Sequence, residues 1–236
     1  GTVKNTALNL SFFRQYKIIL TGINKMLKLL SATPSPFARK VRVVLLEKNI
    51  PFELKTINPW NMNADIERFN PLGKIPVLIT EHDETIYDSK FIIEWIELNY
   101  PDPAVFPTDP KARFKAQQIQ VIADGICESL ILLFFENLRP DSQQSKPWTE
   151  RQIKKISNGL HTLEQQIAND DFCVENTFSI ADISVVSAAD YLSLRFKTYE
   201  WRNKFPRISK FVARQSARQS FIETMPTPQD IEKNTI

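Results

Sequence analysis

The sequence predicts an α/β domain over residues 26–100, an all-helical domain over residues 111–226 and a tail over residues 227–236. Three observations support this prediction. Strand-like and helical segments alternate up to residue 100, which is typical of βαβ units. Four prolines within residues 101–110 exclude regular helix and central strand, and so indicate a linker. Beyond residue 111 the apolar residues recur only at helical spacing.

The composition is that of a soluble globular protein with a sizeable core: 236 residues, 42% apolar and 24% charged. The net charge of +3 less the +4 of residues 1–25 leaves −1 for the rest, so nucleic acid is not an expected partner. No apolar run is expected to approach the ~20 residues that span a bilayer, so no membrane is expected. Cys127 and Cys173 stand in no metal or redox spacing, which favours a reducing, cytoplasmic location and no metal.

Residues 1–25 are expected to lie outside the fold. Their apolar stretch is interrupted by Arg14, Gln15 and Lys17 and lacks the cleavage pattern of a secretory signal. Met26 directly precedes the first predicted strand and is interpreted as the natural start, with residues 1–25 added by cloning or upstream translation. The alternative is a genuine additional helix.

A strand-to-helix turn at residues 33–40 organises the first domain. The apolar residues 27–31 before the turn predict a strand, and the helical spacing of apolar residues after it predicts a helix. Pro36 suits the first helical position and Ser35 the N-cap. Such a helix start acts as a cap alone or also binds an anion, and the turn by itself leaves both roles open.

The remaining elements follow from periodicity and turn chemistry. Residues 51–57 predict a second strand, parallel to the first because a helix connects them. A helix capped by Asp88 or Ser89 is expected to present one apolar face, formed by Phe91, Ile92, Trp95, Ile96 and Tyr100. Further elements are predicted as follows: a short helix at 64–69, a turn at 70–73, a hairpin of 74–80 with 85–87, and helices at 114–137, 149–167, 180–196, 206–215 and 217–224. Ser179 and Asp182 predict a capping box, a folding device rather than a site.

Four markers in this order resemble the cytosolic glutathione S-transferase family over residues 26–226. They are Ser35-Pro36-Phe37, residues 73–78, Asp88-Ser89 and the capping box at 179–183. The start at Ser35 is similar to bacterial members of serine type. The resemblance implies a thioredoxin-like N-terminal domain with an all-α C-terminal domain, and a homodimer. It also implies glutathione on the first domain and a hydrophobic electrophile between the domains.

The resemblance assigns the glutathione backbone to the first domain. Asp88 and Ser89 would take its γ-glutamyl ammonium and carboxylate, although Asp88 alone is equally a helix cap. A cis Ile75–Pro76 bond would let Ile75 pair with the peptide. Trp60 and Lys74 are candidates for the glycine carboxylate.

Ser35 suits the thiol. A free thiol has a pKa of ~8.5, and a hydroxyl donor at a helix start favours the thiolate. Thr33 is the alternative donor, and a plain N-cap is the alternative role of Ser35. Ala38 excludes a Cys-x-x-Cys pair, so disulfide exchange is disfavoured. Arg39 and Lys40 would add positive potential or be solvated.

The second-substrate pocket is expected between the long helix, over residues 124–135, and the pair Phe37 and Trp60. These aromatics are equally compatible with a core. The predicted activity is addition of glutathione thiolate to an apolar electrophile, as in detoxification. The alternatives are a non-catalytic glutathione-binding adaptor in stress responses, and a glutathione-dependent isomerase, for which the expected Ser-rich start is replaced by residues 33–36.

Overall fold

The computed structural model describes residues 26–61, 65–167 and 171–231. The prediction for residues 1–25 lies outside these ranges. The first domain contains the elements β1 Leu27–Ser31, α1 Pro36–Glu47, β2 Phe52–Thr56, β3 Val77–Ile79, β4 Thr85–Ile86 and α2 Ser89–Asn99. Between β2 and β3 the short helix predicted at residues 64–69 is a 3₁₀ helix at Ile66–Arg68, and residue 64 lies outside the described residues.

The four strands form one mixed sheet in the order β2-β1-β3-β4. β1 is parallel to β2 and antiparallel to β3, and β3 is antiparallel to β4, as a βαβ unit followed by a hairpin predicts. Leu29 in the centre pairs with Leu54 on one side and Leu78 on the other, and is fully buried. β2 is an edge strand whose Leu54 is 41% exposed, so its alternating pattern does not bury a face.

The described residues of the second domain contain helices and no strand, as predicted. α3 begins four residues earlier than expected because Asp109 caps it, accepting the N–H groups of Lys111 and Ala112, with Pro110 at the first position. α6 was not predicted. The helices are α3 Pro110–Leu138, α4 Lys146–Gln166, α5 Ile180–Arg195, α6 Trp201–Lys204, α7 Pro206–Gln215 and α8 Gln219–Glu223.

α5 is the central helix of this domain, and residues 180–192 are all buried. The capping box at its start is confirmed: the Asp182 carboxylate accepts the Ser179 N–H at 2.7 Å. It also accepts the Cys173 N–H at 2.8 Å and so fixes the preceding loop. Burial raises the pKa of Asp182, and these hydrogen bonds only partly offset that effect.

Helix α3 is long and apolar enough to pass as a membrane span by length and composition, with a mean hydropathy of 1.6 over 18 residues. The expectation that no run approaches that length is therefore wrong for α3. Half of this window is buried inside the protein, where α3 packs against α4 and α5, so one such helix is weak evidence for a membrane. The approach to α4 is close: a Cβ on Gly159 would lie 2.6 Å from Ile126 Cγ1.

The apolar face of α2 differs from the prediction at Phe91. The buried residues are Ile92, Ile93 and Ile96, whereas Phe91 is 61% exposed. Phe91 therefore lies on the outer surface of the helix together with Leu98, which is also exposed. The helix is apolar on two sides, and only one of them faces the core.

The proline-rich segment 101–110 is held by Lys48 at the end of α1. The Lys48 ammonium donates to the carbonyls of Tyr100 and Pro103 at 2.7 Å each and pairs with Glu97 at 2.7 Å. Glu97 in turn accepts the N–H of Val105. The segment has no regular structure before Pro110, yet it is fixed to the first domain.

Candidate functional site

The sheet register brings the predicted glutathione segments to one edge. Leu30 of β1 pairs with Val77 of β3, so Pro76 lies beside Ser31, where β1 ends. The helix start at Ser35 follows immediately, and its N–H donates to the Ala32 carbonyl at 3.1 Å. The strand-to-helix turn and the Ile75–Pro76 segment are therefore neighbours.

The two outer strands deliver their following loops to the same edge. Ile57, just past β2, donates its N–H to the Ser31 carbonyl at 2.8 Å, and Trp60 follows three residues later. On the other side Leu78 pairs with Ile86, so the chain from β4 to Asp88 runs back alongside the start of β3. Four chain segments that are distant in sequence thus meet at one end of the sheet.

Ser35 is the N-cap of α1, as predicted. Its hydroxyl oxygen accepts the Ala38 N–H at 3.1 Å, and its side chain is half-buried. Capping uses one acceptor lone pair, whereas the hydroxyl proton is a separate donor. The two roles expected of Ser35 are therefore compatible rather than exclusive. Thr33 is also half-buried and lies in the same turn.

Asp88 and Ser89 start α2 at the other side of this edge. Asp88 is the exposed N-cap and accepts the Lys90 N–H at 3.0 Å, while Ser89 is 3% exposed. A carboxylate has further acceptor sites, so the cap leaves Asp88 capacity for an ammonium group. The Ile75–Pro76 peptide bond is cis, as the resemblance implied.

Lys74 is an exposed side chain at the end of an ordered loop. Asn70, which is buried, donates its side-chain N–H to the Lys74 carbonyl at 2.9 Å and accepts the Leu72 N–H at 3.0 Å. Gly73 has φ of +62°, and a Cβ there would lie 3.2 Å from the Glu67 carboxylate. The predicted turn at 70–73 is confirmed, and it leads the chain into Ile75.

Arg39 and Lys40 are buried, so of the two alternatives left open by the sequence, solvation is wrong. Each is 1% exposed. The Arg39 guanidinium pairs with Asp190 of α5 at 2.6 Å, and the Lys40 ammonium pairs with Asp124 of α3 at 2.5 Å. Burial lowers the pKa of Arg39, and Asp190 partly offsets this. α1 packs against the helical domain, and this contact keeps Arg39 and Lys40 from water.

The sequence placed Asp124 at one end of the α3 segment expected to line the second-substrate pocket, but its carboxylate pairs with lysine side chains. It is buried, and it lies 3.6 Å from the Lys90 ammonium as well as beside Lys40. It therefore joins α3 to the starts of both α1 and α2. Lys90 was missed in the sequence; its place directly after Ser89 is the signal that would have found it.

The aromatic side chains meet further along α3. The rings of Trp60 and Phe135 are 4.1 Å apart, and those of Phe134 and Phe135 are 5.3 Å apart. The Arg195 guanidinium, at the end of α5, lies 3.9 Å from the Phe134 ring and donates to the Tyr191 hydroxyl at 3.4 Å. We call Trp60, Phe134, Phe135, Tyr191 and Arg195 the aromatic cluster. It links the loop after β2 to the helical domain.

Phe37 is half-buried on the first turn of α1, 5.7 Å from the Lys40 ammonium. Its partly buried ring packs against the core, in agreement with the core role that the sequence left open. Cys127 is buried, and burial raises the pKa of its thiol, which makes it unreactive. Among the described residues, no group of three His, Cys, Asp or Glu side chains is placed to hold a metal.

The comparison with known families decides the identity of this arrangement. The family model described as "Glutathione S-transferase, N-terminal domain" matches residues 34–98, and the model described as "Glutathione S-transferase, C-terminal domain" matches residues 146–214. The chain belongs to the glutathione S-transferase family. Its fold is accordingly the thioredoxin-like N-terminal domain and helical C-terminal domain of that family, as the sequence predicted.

Individual relatives agree with this assignment. The chain is 38% identical over 200 residues to the uncharacterized GST-like protein YibF of Escherichia coli K12, covering 85% of this chain and 98% of YibF. It is 32% identical over 165 residues to the probable maleylacetoacetate isomerase 1 of Drosophila melanogaster, covering 67% and 65%. A crystal structure of a glutathione S-transferase of Methylobacterium radiotolerans, complexed with glutathione sulfonate, superposes with a TM-score of 0.86. The Methylobacterium protein is 40% identical to this chain, and the match covers 87% of this chain and 97% of the Methylobacterium chain.

Proposed function

We propose that this member of the family is a glutathione transferase of serine type, with Ser35 as the thiol-activating residue. The observation that carries the proposal is the meeting of the Ser35 turn, the Ile75–Pro76 segment and the Asp88–Ser89 helix start at one sheet edge. Together these offer a hydroxyl, an extended backbone and an anion-binding helix start. Glutathione presents a thiol, a peptide and a carboxylate in the same order.

The helix starts supply the charge complementarity. The γ-glutamyl carboxylate accepts from the N-terminal N–H groups of α2 and the Ser89 hydroxyl, and Asp88 receives the ammonium. The Ile75 backbone pairs with the peptide, and Trp60 with Lys74 borders the glycine carboxylate. The sulfur then lies at the start of α1.

The chemical step needs only a thiolate held beside an electrophile. The thiol proton leaves to solvent, and the Ser35 hydroxyl donates to the sulfur and stabilises its charge. The sulfur forms a bond to the electrophilic carbon. In displacement the leaving group departs with its electron pair, and in addition the adjacent carbon takes a proton from water. The electrophile sits against the aromatic cluster, which favours an apolar compound; conjugation of such compounds in a reducing, cytoplasmic setting would serve detoxification.

Replacing Ser35 tests the assignment against Thr33. Ser35→Ala should reduce turnover of a chromogenic electrophile about 25-fold at pH 7 if the hydroxyl lowers the thiol pKa by about two units, because the thiolate fraction then falls from about three quarters to about 3%. Glutathione should still bind, measured by titration calorimetry. Thr33→Ala should keep most of the turnover; the reverse ranking assigns the role to Thr33. Glutathione binding with no turnover of any electrophile by the unaltered protein would identify the non-catalytic adaptor.

One observation favours isomerase activity as a second candidate. Among the described residues Arg195 forms no ion pair, and its guanidinium lies in the aromatic cluster beside the proposed second-substrate site. A guanidinium there suits a substrate carboxylate. Maleylacetoacetate, for which the Drosophila relative is named, is a carboxylic acid of this kind. The same assay with maleylacetoacetate separates the two activities, and Arg195→Met should weaken only the isomerase.

We also propose that the protein is a homodimer. Phe91 and Leu98 on α2, and Phe114 and Val121 on α3, are large apolar side chains between 58% and 81% exposed. A second copy would cover them. Sedimentation velocity should give a mass near twice the 27.3 kDa of one chain. Phe91→Ser with Leu98→Ser should shift the protein to the monomer, whereas a monomeric unaltered protein would contradict the proposal.

A further inference from the structure

The C-terminal residues 225–231, here called the strap, run from the end of α8 to the loop after β2. They contain no helix or strand. Gln229 donates its side-chain N–H to the Ile57 carbonyl at 3.1 Å. In the opposite direction Asn58 donates its side-chain N–H to the Asp230 carbonyl at 2.5 Å. Strap and loop each contribute one side-chain donor and one backbone acceptor, so the contact is reciprocal.

The Asn58 amide connects this contact to Trp60. Its Nδ2 group binds the strap, while its Oδ1 atom accepts the Trp60 N–H at 3.2 Å. Because both atoms belong to one planar group, the strap sets the orientation of the acceptor that holds the Trp60 backbone. The sheet fixes the loop only as far as Ile57, whose N–H is bound to the Ser31 carbonyl.

The strap begins at a fixed point. Thr224, directly before it, is buried, and its hydroxyl accepts from the Arg39 guanidinium at 3.3 Å. Arg39 belongs to the buried second turn of α1. The strap is therefore anchored at one end to the helix that carries Ser35 and at the other end to the loop that carries Trp60.

We propose that the strap positions Trp60 for the second substrate, with Asn58 as the positioning residue. This role rests on the proposed transferase function, because Trp60 borders the site through its contact with Phe135 at 4.1 Å. Losing the strap removes the partner that holds the Nδ2 side of the Asn58 amide, so the acceptor for the Trp60 N–H is less well fixed. Trp60 then samples more orientations, and an aromatic group on the sulfur loses part of its binding surface.

The first experiment compares a chain ending at Thr224 with a control chain ending at Ile231, which retains both hydrogen bonds. Amide hydrogen exchange of residues 57–61 should be faster in the shorter chain and unchanged in the control. By calorimetry the shorter chain should bind S-(2,4-dinitrophenyl)glutathione about threefold to tenfold more weakly, the effect of losing one or two hydrogen bonds. Glutathione itself, which Trp60 borders at the glycine carboxylate alone, should lose less affinity than the conjugate.

A substitution protects the test against misfolding of the shorter chain. Asn58→Asp keeps the acceptor for the Trp60 N–H and removes the donor to Asp230. It should reproduce the faster exchange and the weaker conjugate binding in the full chain, and add nothing in the chain ending at Thr224. Unchanged exchange at residues 57–61, or unchanged conjugate affinity in both variants, would overturn the proposal. Exchange is measured without ligand. If the full chain bound no glutathione, the proposed transferase function would be wrong, whereas the exchange rates of residues 57–61 would still test whether the strap holds this loop.

Discussion

The first and second turns of α1 hold polar groups under opposite conditions. Ser35, at the first turn, is half-buried, and its hydroxyl accepts a local hydrogen bond from the Ala38 N–H. Arg39 and Lys40, one turn later, are buried and paired with carboxylates of the helical domain at 2.6 and 2.5 Å. The Ser35 hydroxyl, which retains its donor proton, thus lies four to five residues before two charged side chains that are already paired inside the fold.

This difference shows how the helix combines binding with rigidity. A donor can act on a substrate only if the folded protein has not already used it. A buried charge, by contrast, has to be paired inside the fold, and it then fixes the elements that carry its partner. The second turn therefore holds α1 against the helical domain, and the first turn is presented at the sheet edge.

Removing the Lys40 charge from the second turn should have the largest effect, mainly on the free energy of unfolding. Lys40→Met leaves the buried Asp124 carboxylate with the longer contact to Lys90 at 3.6 Å, which should cost about 3 kcal/mol in the free energy of unfolding, the lower end of the range for breaking a buried ion pair. Urea denaturation measures this. Glutathione affinity of the folded protein should change little, because Ser35 and its turn are retained.

The double variant Lys40→Met with Asp124→Leu is the matched control. It removes both charges and should recover much of the lost stability. If Lys40→Met lowers the free energy of glutathione binding more than the free energy of unfolding, the second turn takes part in ligand binding and the separate roles given to the two turns are wrong.

The last residue of α1 should give a smaller, pH-dependent effect. Burial alone would raise the pKa of Glu47, but hydrogen bonds from Arg218 and Ser220, with the Arg218 charge, bring it below the ordinary 4.5. A carboxylate whose pKa is lowered by folding stabilises the protein above the ordinary pKa, and this contribution is lost as the pH falls through the lowered value. Glu47→Gln should therefore reduce the free energy of unfolding at neutral pH.

The difference between Glu47→Gln and the unaltered protein should narrow as the pH falls below about 4.5, measured by denaturation at several pH values. Glu223→Gln, an exposed change on α8, is the control for removing one negative charge. A constant difference at all pH values would show that the ion pair with Arg218 does not link α1 to α8.

Local chemistry made much of this structure predictable. The Ser35 cap, the turn at Gly73, the capping box at Asp182 and the helical second domain all depend on residues that are close in sequence. Errors arose where tertiary contacts decided the outcome. Lys40 lies three residues after Phe37 and one before Val41, on a buried face, yet a charge suggests solvent until its partner on α3 is known.

The site was predictable only in part for the same reason. The Ser35, Pro76 and Asp88 segments each carry a recognisable motif, and the sheet register brings them together. Asn58 and Arg195 carry no motif. Their roles depend on a strap about 170 residues away and on a ring contributed by another helix. Contacts of such long sequence separation leave no periodic signal in a single chain.

The pKa of the glutathione thiol in the bound state tests most directly whether Ser35 activates the thiol. It can be followed by the ultraviolet absorbance of the thiolate while the pH is varied, in the unaltered protein and in Ser35→Ala. In the unaltered protein we predict a thiol pKa well below the ~8.5 of a free thiol. In Ser35→Ala the thiol pKa should return toward that value if Ser35 stabilises the thiolate. Equal thiol pKa values in the two proteins, with glutathione bound to both, would contradict it.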